Sequence, residues 1–499
     1  MSSDKRRPII KGALWLGSGR VIVNAIGFVS TLVLARLLSP ADFGLVALAE
    51  AVFAIASAVT EMSLAQSLVQ HRKPEDHHYH TAFTLNLGRS LLLGLFIAAI
   101  AVPVAQGYGD DRLRDVLLVL AVAAAFGSLE NPKLVTFQRN LIFWQDFLLS
   151  VAAKLTGLLV ALGIALVYQS YWALVLGSLA AQVLRVGLSY AVIPYLPRLS
   201  LRGGRELLSF SGWLTLSNTL KTATWRFDPL VLGLVLPQAA VGHYTFGARL
   251  GSLPVKESLS PLRTLLFPAL ARMQDQPDRL RQAYLNAQAA LVLIALPLGV
   301  GLAVLAEPLV LVAIGESWLP AVPVMQAIAI LSAVQQWESS QPLGMALGAT
   351  KSLFKRDMRV LAVRLPLVVA GLLIGQATPV GALVGVLAGR VAAGVFNVAV
   401  NIKLIEKLVN LSVAQQIGVA IRPALAAAMM AGALVFLKGF GLGEGSTEAI
   451  VVLGGFVAAG IATYIAAIML LWTASGRPEG AEREVLRLMV KVFRARVRN

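Results

Sequence analysis

The sequence contains no cysteine and few charged residues, and both scarcities narrow the class of protein. With no cysteine among its 499 residues, the chain forms no disulfide and offers no thiolate to a metal. Charged residues make up 14% of the chain, whereas soluble globular proteins have about a quarter. Hydrophobic residues make up 57%, and the mean hydropathy is +0.75. These values predict an all-α polytopic membrane protein.

Catalytic signatures are scarce as well. The sequence has no Walker lysine motif, so we expect no nucleotide hydrolysis by the chain itself. It also has no acid/base pair or nucleophile within a soluble domain, which argues against a polymerase or a glycosyltransferase. We therefore expect a transport protein, not an enzyme, with no catalytic residue and no cofactor.

Four histidines, His71, His77, His78 and His80, lie close together, as metal ligands do. They accompany the polar stretch 71–76 and have no acidic or cysteine partner at ligand spacing. We interpret the segment as a flexible, solvated loop and expect no metal site.

Apolar runs of roughly 20 residues recur between short polar turns, and each is long enough to cross the hydrocarbon core of a bilayer. We predict about 14 spans, at 12–36, 43–67, 82–105, 115–137, 146–168, 171–194, 208–236, 240–266, 284–306, 320–347, 359–376, 380–402, 417–438 and 448–473.

Lysine and arginine are distributed unevenly between alternate turns, and short loops rich in them stay in the cytoplasm. We therefore predict that both termini are cytoplasmic, and that the net charge of +17 reflects topology rather than nucleic-acid binding. With the amino terminus inside, the inner loops are basic: they contain Arg72/Lys73, Arg198/Arg202/Arg205, Arg272/Arg279/Arg281 and Lys351/Lys355/Arg356.

The hairpin at 207–266 repeats the first hairpin of the chain, 12–67. Trp15 and Trp213 lie 198 residues apart, and so do Gly44 and Gly242. A shared tryptophan, turn and glycine in one register indicate a duplicated unit. We predict two pseudo-symmetric six-helix lobes plus two C-terminal helices. The segments are a cytoplasmic N-terminus (1–11), the N-lobe (12–194), an inter-lobe loop (195–207), the C-lobe (208–402), the C-terminal helix pair (403–473) and a basic amphipathic tail (474–499).

Charged side chains inside the predicted spans are the candidate functional residues, because a charge at mid-span costs about 2.5 to 3.5 kcal/mol on insertion scales. Arg249, Lys256 and Arg263 are seven residues apart, which places them along one side of the eighth span. A cavity lined by spans one, two, seven and eight would have an excess of cations and would favour a large anion. The candidate substrate-binding residues are Arg20, Asn24, Lys221, Arg226, Arg249 and Lys256; the candidate gate or ion-coupling residues are Glu50, Glu61 and Asp228.

The opposing interpretation is that such residues pair with one another or extend to the membrane surface. We favour extension to the surface for Arg36, Lys133 and Arg263, which lie near predicted span ends. Gly381, Gly385 and Gly389 form a ladder of small residues that predicts close packing of two helices.

Two stretches carry a family resemblance: KGALW at 11–15 followed by LARLLSPADFGL at 34–45, and the second-lobe counterpart at 238–250 with VGHY at 241–244. They resemble the polysaccharide transporter branch of the MATE-like multidrug/oligosaccharidyl-lipid/polysaccharide flippases, the Wzx-type exporters. The resemblance implies a V-shaped, alternating-access transporter of the bacterial inner membrane. It also implies transfer of undecaprenyl-diphosphate-linked oligosaccharide repeat units to the outer leaflet, for exopolysaccharide, capsule or O-antigen synthesis. The expected partners are this lipid-linked oligosaccharide, the bilayer and the polysaccharide polymerase or export machinery, and no nucleic acid.

Two other functions stay open at this point. A cation-coupled multidrug antiporter of the same fold would need an acidic, aromatic-lined cavity, which the basic excess disfavours. A scaffold that docks a glycan-assembly complex would act through the basic tail. For Glu50 and Glu61 there are also two roles, proton coupling or gate ion pairs with the basic stripe.

Overall fold

The computed structural model of the chain describes residues 22–62, 64–70, 74–140, 142, 144–204, 212–337, 340–378, 381–439, 441 and 446–477. Throughout these ranges the regular structure is helical. Arg20, Trp15, the side chain of Trp213 and most of the predicted amphipathic tail lie outside the described part of the chain. The chain divides into two compact units, Met1–Gly242 and His243–Asn499.

The helices of the first unit are α1 (Ile22–Leu37), α2 (Pro40–Thr60), α3 (Leu64–Gln70), α4 (Asp76–Tyr108), α5 (Asp111–Gly127), α6 (Val135–Arg139), α7 (Trp144–Tyr168), α8 (Trp172–Val192), α9 (Gly212–Gly233) and the first turn of α10 (Gln238–Ala271). A single 3₁₀ turn, Pro132–Leu134, precedes α6. The main helix pairs are α4 with α5, α7 with α8, and α2 with α9.

The second unit contains the rest of α10, then α11 (Pro277–Val304), α12 (Ala306–Ala313), α13 (Val322–Trp337), α14 (Ser340–Ala346), α15 (Thr350–Ala377), α16 (Ala382–Val409), α17 (Val413–Lys438) and α18 (Ser446–Ala474). A short 3₁₀ segment, Glu316–Ala321, precedes α13. Here α15 packs along α16, and α11 packs against both α13 and α17. Met430, Phe456 and Tyr464 belong to the apolar core that α17 and α18 share.

The predicted spans and the observed helices correspond along the chain. Each of the predicted spans overlaps a described helix. Within the described residues, 10 helical stretches are long and apolar enough to cross a membrane: nine single helices and the stretch Glu316–Ala346. The prediction of a polytopic helical membrane protein is confirmed. The number of 14 crossings stays a prediction.

The fourth span was predicted too long. The sequence pattern placed it at 115–137, but α5 ends at Gly127 and the chain turns before Pro132. The buried side chain of Asn131 holds this turn: its oxygen accepts from the amide of Lys133 at 3.0 Å, and its nitrogen donates to the carbonyl of Ile193 at 2.8 Å. An apolar run does not reveal such a turn, because the contacts of Asn131 with Ser189 and Ile193 come from a distant part of the chain.

The first tight turn is shorter than the sequence indicates. The predicted spans leave residues 37–42 for it, yet the chain is helical again from Pro40. The hydroxyl of Ser39 accepts from the amide of Asp42, and the Asp42 carboxylate accepts from the amide of Ser39 at 3.0 Å. Proline at the first helical position loses no hydrogen bond there. This capping box starts α2 and fixes the turn of the first repeat hairpin.

The glycine ladder on α16 packs against α15, as predicted. A Cβ on Gly385 would overlap the carbonyl of Gly371, and one on Gly389 would overlap the carbonyl of Leu367. Gly381 differs, since it lies at the start of α16 with a φ of 81° and has open space around it. Two glycines of the three therefore set the distance between the helices.

Replacing Gly385 with alanine should destabilise the protein by about 1 to 3 kcal/mol, because the new methyl group forces α15 and α16 apart. Thermal unfolding of the purified, detergent-solubilised protein measures the loss. Gly432→Ala is the matched control, since Gly432 lies on the helix α17 with no atom within 4 Å of an added Cβ. Equal melting temperatures for the two variants would contradict this account of the helix pair.

Candidate functional site

The basic stripe predicted for the eighth span lies on one long helix, α10, which has 34 residues. Arg249 and Lys256 on this helix are exposed, and Arg263 is half-buried. Three prolines, Pro254, Pro261 and Pro268, interrupt the helical hydrogen bonding at the same seven-residue interval. The spacing seen in the sequence therefore becomes a row of cations along a proline-interrupted helix.

α9 and α10 differ in composition from the other long helices. Of the described helices with at least 18 residues, only these two are not apolar enough to cross lipid unaided. They carry the predicted site residues Lys221, Arg226, Asp228, Arg249 and Lys256. A helix of this kind in a membrane protein needs protein or water along its charged side.

Glu50 and Arg226 meet in the first unit. The Glu50 carboxylate on α2 lies 3.9 Å from the Arg226 guanidinium on α9, and both side chains are partly exposed. We had considered Glu50 as a gate partner of the basic stripe on α10. The structure instead pairs two predicted site residues with each other, across the contact between α2 and α9. A second bond crosses the same contact: the hydroxyl of Thr219 on α9 donates to the carbonyl of Ala58 on α2 at 2.8 Å.

The other candidates of the first unit are more dispersed. Asp228, near the end of α9, is fully buried at 0% exposure. Lys221 and Asn24 are half-buried, on α9 and α1, and Lys221 makes no hydrogen bond or ion pair within the described ranges. Arg20 lies outside the described residues. Of this group, the structure brings together Glu50 and Arg226 as a direct pair.

Glu61 lies at the C-terminal end of α2, where its amide donates to the carbonyl of Ala58 at 3.4 Å. Its carboxylate is close enough to Arg89 on α4 to interact with it electrostatically. Arg89 was missed in the sequence, because a single arginine within the long apolar run of α4 showed no spacing with other charges. Its Nε is buried without a hydrogen-bond partner among the described residues.

For one arginine of the second unit, Arg390, the sequence leaves open whether it lines the cavity or pairs with another residue. Arg390 on α16 is 8% exposed, and its guanidinium donates to the hydroxyl of Tyr244 on α10 at 2.6 Å. The same guanidinium lies 5.6 Å from the centre of the Tyr244 ring. The sequence showed Arg390 beside the glycine ladder. It gave no sign of a tyrosine 146 residues away.

The predicted inter-lobe loop is fixed to α4 over its described part, 195–204. The hydroxyl of Tyr195 bonds to His80 Nδ1 at 2.7 Å, and the amide of Arg198 donates to that same nitrogen at 2.9 Å. Because an amide only donates, His80 Nδ1 must be unprotonated. Further along, the amide of Ser200 donates to the Thr84 hydroxyl at 2.9 Å. His77, His78 and His80 lie on α4, and His78 is 4% exposed. The interpretation as a solvated loop is therefore wrong for these three histidines, and His71 lies outside the described residues.

Tyr195 is the centre of this attachment. Its ring stacks on His80 with centroids 5.3 Å apart, and the Lys133 ammonium lies 4.3 Å from its centre. Lys133 also pairs at 2.7 Å with Asp76, an exposed residue at the start of α4, and its extension to the membrane surface stays a prediction. Burial, together with the nearby Asp76 carboxylate, raises the pKa of Tyr195 to about 12 from 10.0. The protonated Tyr195 hydroxyl therefore contributes to the free energy of unfolding below pH 10, and this contribution is lost as the pH rises through the folded-state pKa of about 12.

A second polar cluster joins the turn after α4 to the start of α10. Arg112 donates to both oxygens of Asp110, at 2.8 and 3.1 Å, and to the side-chain oxygen of Gln238 at 2.9 Å. The Gln238 amide in turn donates to Asp110. Burial alone would raise the pKa of Asp110, but the bonds from Arg112 and Gln238 outweigh it and hold that pKa below its ordinary value.

The repeat-related glycines meet beside this cluster. A Cβ on Gly44 would overlap the carbonyl of Gln238, and a Cβ on Gly242 would overlap the carbonyl of Pro40. Pro40 and Gln238 are themselves 198 residues apart, so each contact is a copy of the other. Reciprocal contacts of this form are characteristic of a two-fold relation. The offset found in the sequence therefore marks a physical crossing of α2 and the first turn of α10.

Residues 33–323, more than half of the chain, match a family model described as polysaccharide biosynthesis protein. The chain belongs to this family. It is 29% identical to the succinoglycan biosynthesis transport protein ExoT of Rhizobium meliloti (strain 1021), over 61% of this chain and 62% of ExoT. It is 23% identical to the lipopolysaccharide biosynthesis protein WzxC of Escherichia coli (strain K12), over 69% of this chain and 70% of WzxC. The match to ExoT thus spans less than two thirds of that relative.

Two solved structures share the fold of this chain. The lipid II flippase MurJ, in an inward closed conformation, has a TM-score of 0.68 and 14% identity, over 92% of this chain and 100% of MurJ. An inward-facing multidrug resistance MATE family transporter of the MOP superfamily has a TM-score of 0.54 and 14% identity, over 77% and 96% of the two chains. The predicted resemblance and the MATE-like helical fold are confirmed. At such identities the likeness concerns the fold alone.

Tyr195→Phe should lower stability by about 1 kcal/mol, because it removes the bond to His80 while the ring contacts with His80 and Lys133 remain. Tyr195→Ala should cost more, since it removes the ring as well. Thermal unfolding in detergent measures both changes.

Tyr168→Phe is the control for the hydroxyl, because Tyr168 is 74% exposed at the end of α7. If Tyr195→Phe melts at the same temperature as Tyr168→Phe, the attachment of the loop does not depend on that hydroxyl.

Proposed function

We propose that this protein transfers undecaprenyl-diphosphate-linked oligosaccharide repeat units from the inner to the outer leaflet of the bacterial cytoplasmic membrane. The transfer would serve exopolysaccharide, capsule or O-antigen synthesis. One observation carries the proposal: the two long helices too polar to face lipid, α9 and α10, bear the cations of the predicted site in a chain of the polysaccharide biosynthesis family.

The chemistry of the cargo agrees with these cations. A diphosphate offers several anionic oxygens, with which arginine and lysine form charge-assisted hydrogen bonds. Arg249 and Lys256 are exposed on α10. The glycan needs a wet environment, and the polyprenyl chain stays in the hydrocarbon. An alternating-access route through a cationic cavity would satisfy all three parts of the molecule.

The remaining site residues take roles within this proposal. Lys221, Asn24 and Arg20 would contact the diphosphate or the glycan, and Arg226 would do so when it is released from Glu50 at 3.9 Å. Glu61 and Asp228 stay candidates for the gate or for ion coupling. Both termini would be cytoplasmic, with lobes at 12–194 and 208–402, and a polysaccharide polymerase would receive the product. The chain would transport without acting as an enzyme.

A cation-coupled multidrug antiporter is the alternative, favoured by the likeness to the MATE family transporter. Cationic drugs would need carboxylates where α10 presents Arg249, Lys256 and Arg263. That arrangement repels cations. The anionic cargo therefore fits the charges better.

Arg249→Ala and Lys256→Ala should each reduce polymer export at least about tenfold, because each removes one charge-assisted contact to the diphosphate. Lipid-linked repeat units should accumulate in the inner leaflet. Polymer at the cell surface and extracted lipid-linked intermediates are the measurements, in cells where immunoblots of membrane fractions show equal protein.

Arg272→Ala is the matched control, since Arg272 is an exposed arginine directly after the end of α10. Normal export in both site variants would remove these residues from the site. Protection of a pump-deficient strain against cationic drugs, without an effect on polymer, would favour the antiporter.

A further inference from the structure

The described part of the inter-lobe loop, 195–204, exposes three leucines. Leu196, Leu199 and Leu201 are 87%, 74% and 68% exposed, and Leu196 is the most exposed large apolar side chain of the described residues. The backbone over 194–201 is neither helix nor strand, so these leucines do not belong to a membrane-spanning helix. Three such side chains within six residues form an apolar patch, and an exposed patch of this kind marks a contact surface.

Hydrogen bonds hold the loop backbone along the first turns of α4. Two loop amides donate to the side chains of His80 and Thr84, each at 2.9 Å. The hydroxyl of Thr81 donates to the carbonyl of Arg202 at 2.6 Å. Two residues of the segment 194–201 are prolines, which have no N–H to satisfy. Backbone groups that are bonded or absent in this way lower the cost of moving the loop out of bulk water.

The position of these bonds on α4 indicates how deep the loop lies. α4 has 33 residues and is therefore about 50 Å long, whereas the hydrocarbon core of a bilayer is about 30 Å thick. With the core centred on the helix, hydrocarbon begins about 10 Å from Asp76. His80 and Thr84 lie about 6 and 12 Å from Asp76 along the axis. The loop is thus attached at the boundary between head groups and hydrocarbon.

The loop is also attached to the side of α4 that faces lipid. Leu91 and Leu95 follow Thr84 by seven and eleven residues, so the three lie on one side of the helix. Both leucines are exposed, on a helix apolar enough to cross a membrane, and they therefore face hydrocarbon. The exposed leucines of the loop extend this apolar surface towards the end of α4.

The charges of the loop complement an anionic lipid surface. Arg198 and Arg202 are exposed and alternate with the leucines along the chain. Residues 193–204 include no aspartate or glutamate. Apolar side chains next to arginines are typical of segments that lie in the head-group region, where the arginines are attracted to anionic lipids.

We propose that residues 195–202 form an interfacial anchor on a bilayer surface that contains anionic lipids. Its three leucines enter the boundary between head groups and acyl chains, and its two exposed arginines contact lipid phosphates. The anchor binds the lipids of the bilayer and not the transported molecule, so it does not depend on the proposed cargo. It would hold the connection between the predicted lobes at one depth in the membrane.

A fluorescent probe on the loop tests the anchor. Because the chain has no cysteine, Leu199→Cys places a single nitrobenzoxadiazole label on the purified full-length protein. The protein is reconstituted in vesicles of phosphatidylethanolamine and phosphatidylglycerol, with iodide on both sides of the bilayer. We expect lipids with a nitroxide near the top of the acyl chain to quench the probe, and we expect iodide to quench it poorly.

Gln274→Cys is the matched control, since Gln274 is an exposed polar residue in the connection after α10. Its probe should show the opposite pattern, with strong quenching by iodide and weak quenching by the nitroxide lipids. Leu196→Cys gives a second reading within the anchor and decides the matter if Leu199→Cys does not fold.

The charges are tested by Arg198→Gln and Arg202→Gln, each combined with Leu199→Cys. Each should lower the ratio of inserted to water-exposed probe about fivefold in the anionic vesicles. Neither should change that ratio in phosphatidylcholine vesicles, which have no net charge. Arg279→Gln removes a charge elsewhere, from an exposed arginine bonded to Gln276 at 2.8 Å, and should have no effect on the probe.

Equal quenching by iodide at Leu199, Leu196 and the Gln274 control would overturn the anchor. Protection that arises only after other membrane proteins are added would overturn it as well, because the leucines would then bind a protein. If the arginine substitutions act equally in anionic and phosphatidylcholine vesicles, the contact with anionic lipid is wrong.

Discussion

The energetic cost of placing charge in hydrocarbon governs how this protein must be built. Ten helical stretches of the described residues satisfy that constraint by composition, although single charges on them, such as Arg390, still need a polar partner. α9 and α10 do not, because charged residues recur along their length. Something other than lipid has to surround their polar sides: helices of the same chain, water, or the head group of a transported molecule. The pairing of Glu50 with Arg226 and the contacts between α2 and α9 provide part of that surrounding in the first unit.

Much of the fold followed from patterns that extend over many residues. Apolar run length indicated the helices, and the heptad spacing of Arg249, Lys256 and Arg263 correctly placed them along α10. The glycine ladder of α16 was predictable for the same reason, since small residues at every fourth position need a close neighbour. A 198-residue offset even identified the two glycines that touch.

Contacts between distant single residues were not predictable. Nothing near Arg390 points to Tyr244, and nothing near His80 points to Tyr195 or Arg198. Lys133 is a third case: its position near a predicted span end gave no indication of its contacts with Asp76 and Tyr195. Local sequence determines where a charge lies along a helix. Its partner depends on which helices become neighbours.

The reciprocal contact of Gly44 with Gln238 and of Gly242 with Pro40 couples the first turns of two helices. Pro40 and Gly44 both lie on α2, and Gln238 and Gly242 both lie on α10. An insertion of one residue between the members of either pair would rotate that glycine by about 100° around its helix axis and separate both copies of the contact at once. The four-residue spacing in one repeat therefore constrains the same spacing in the other.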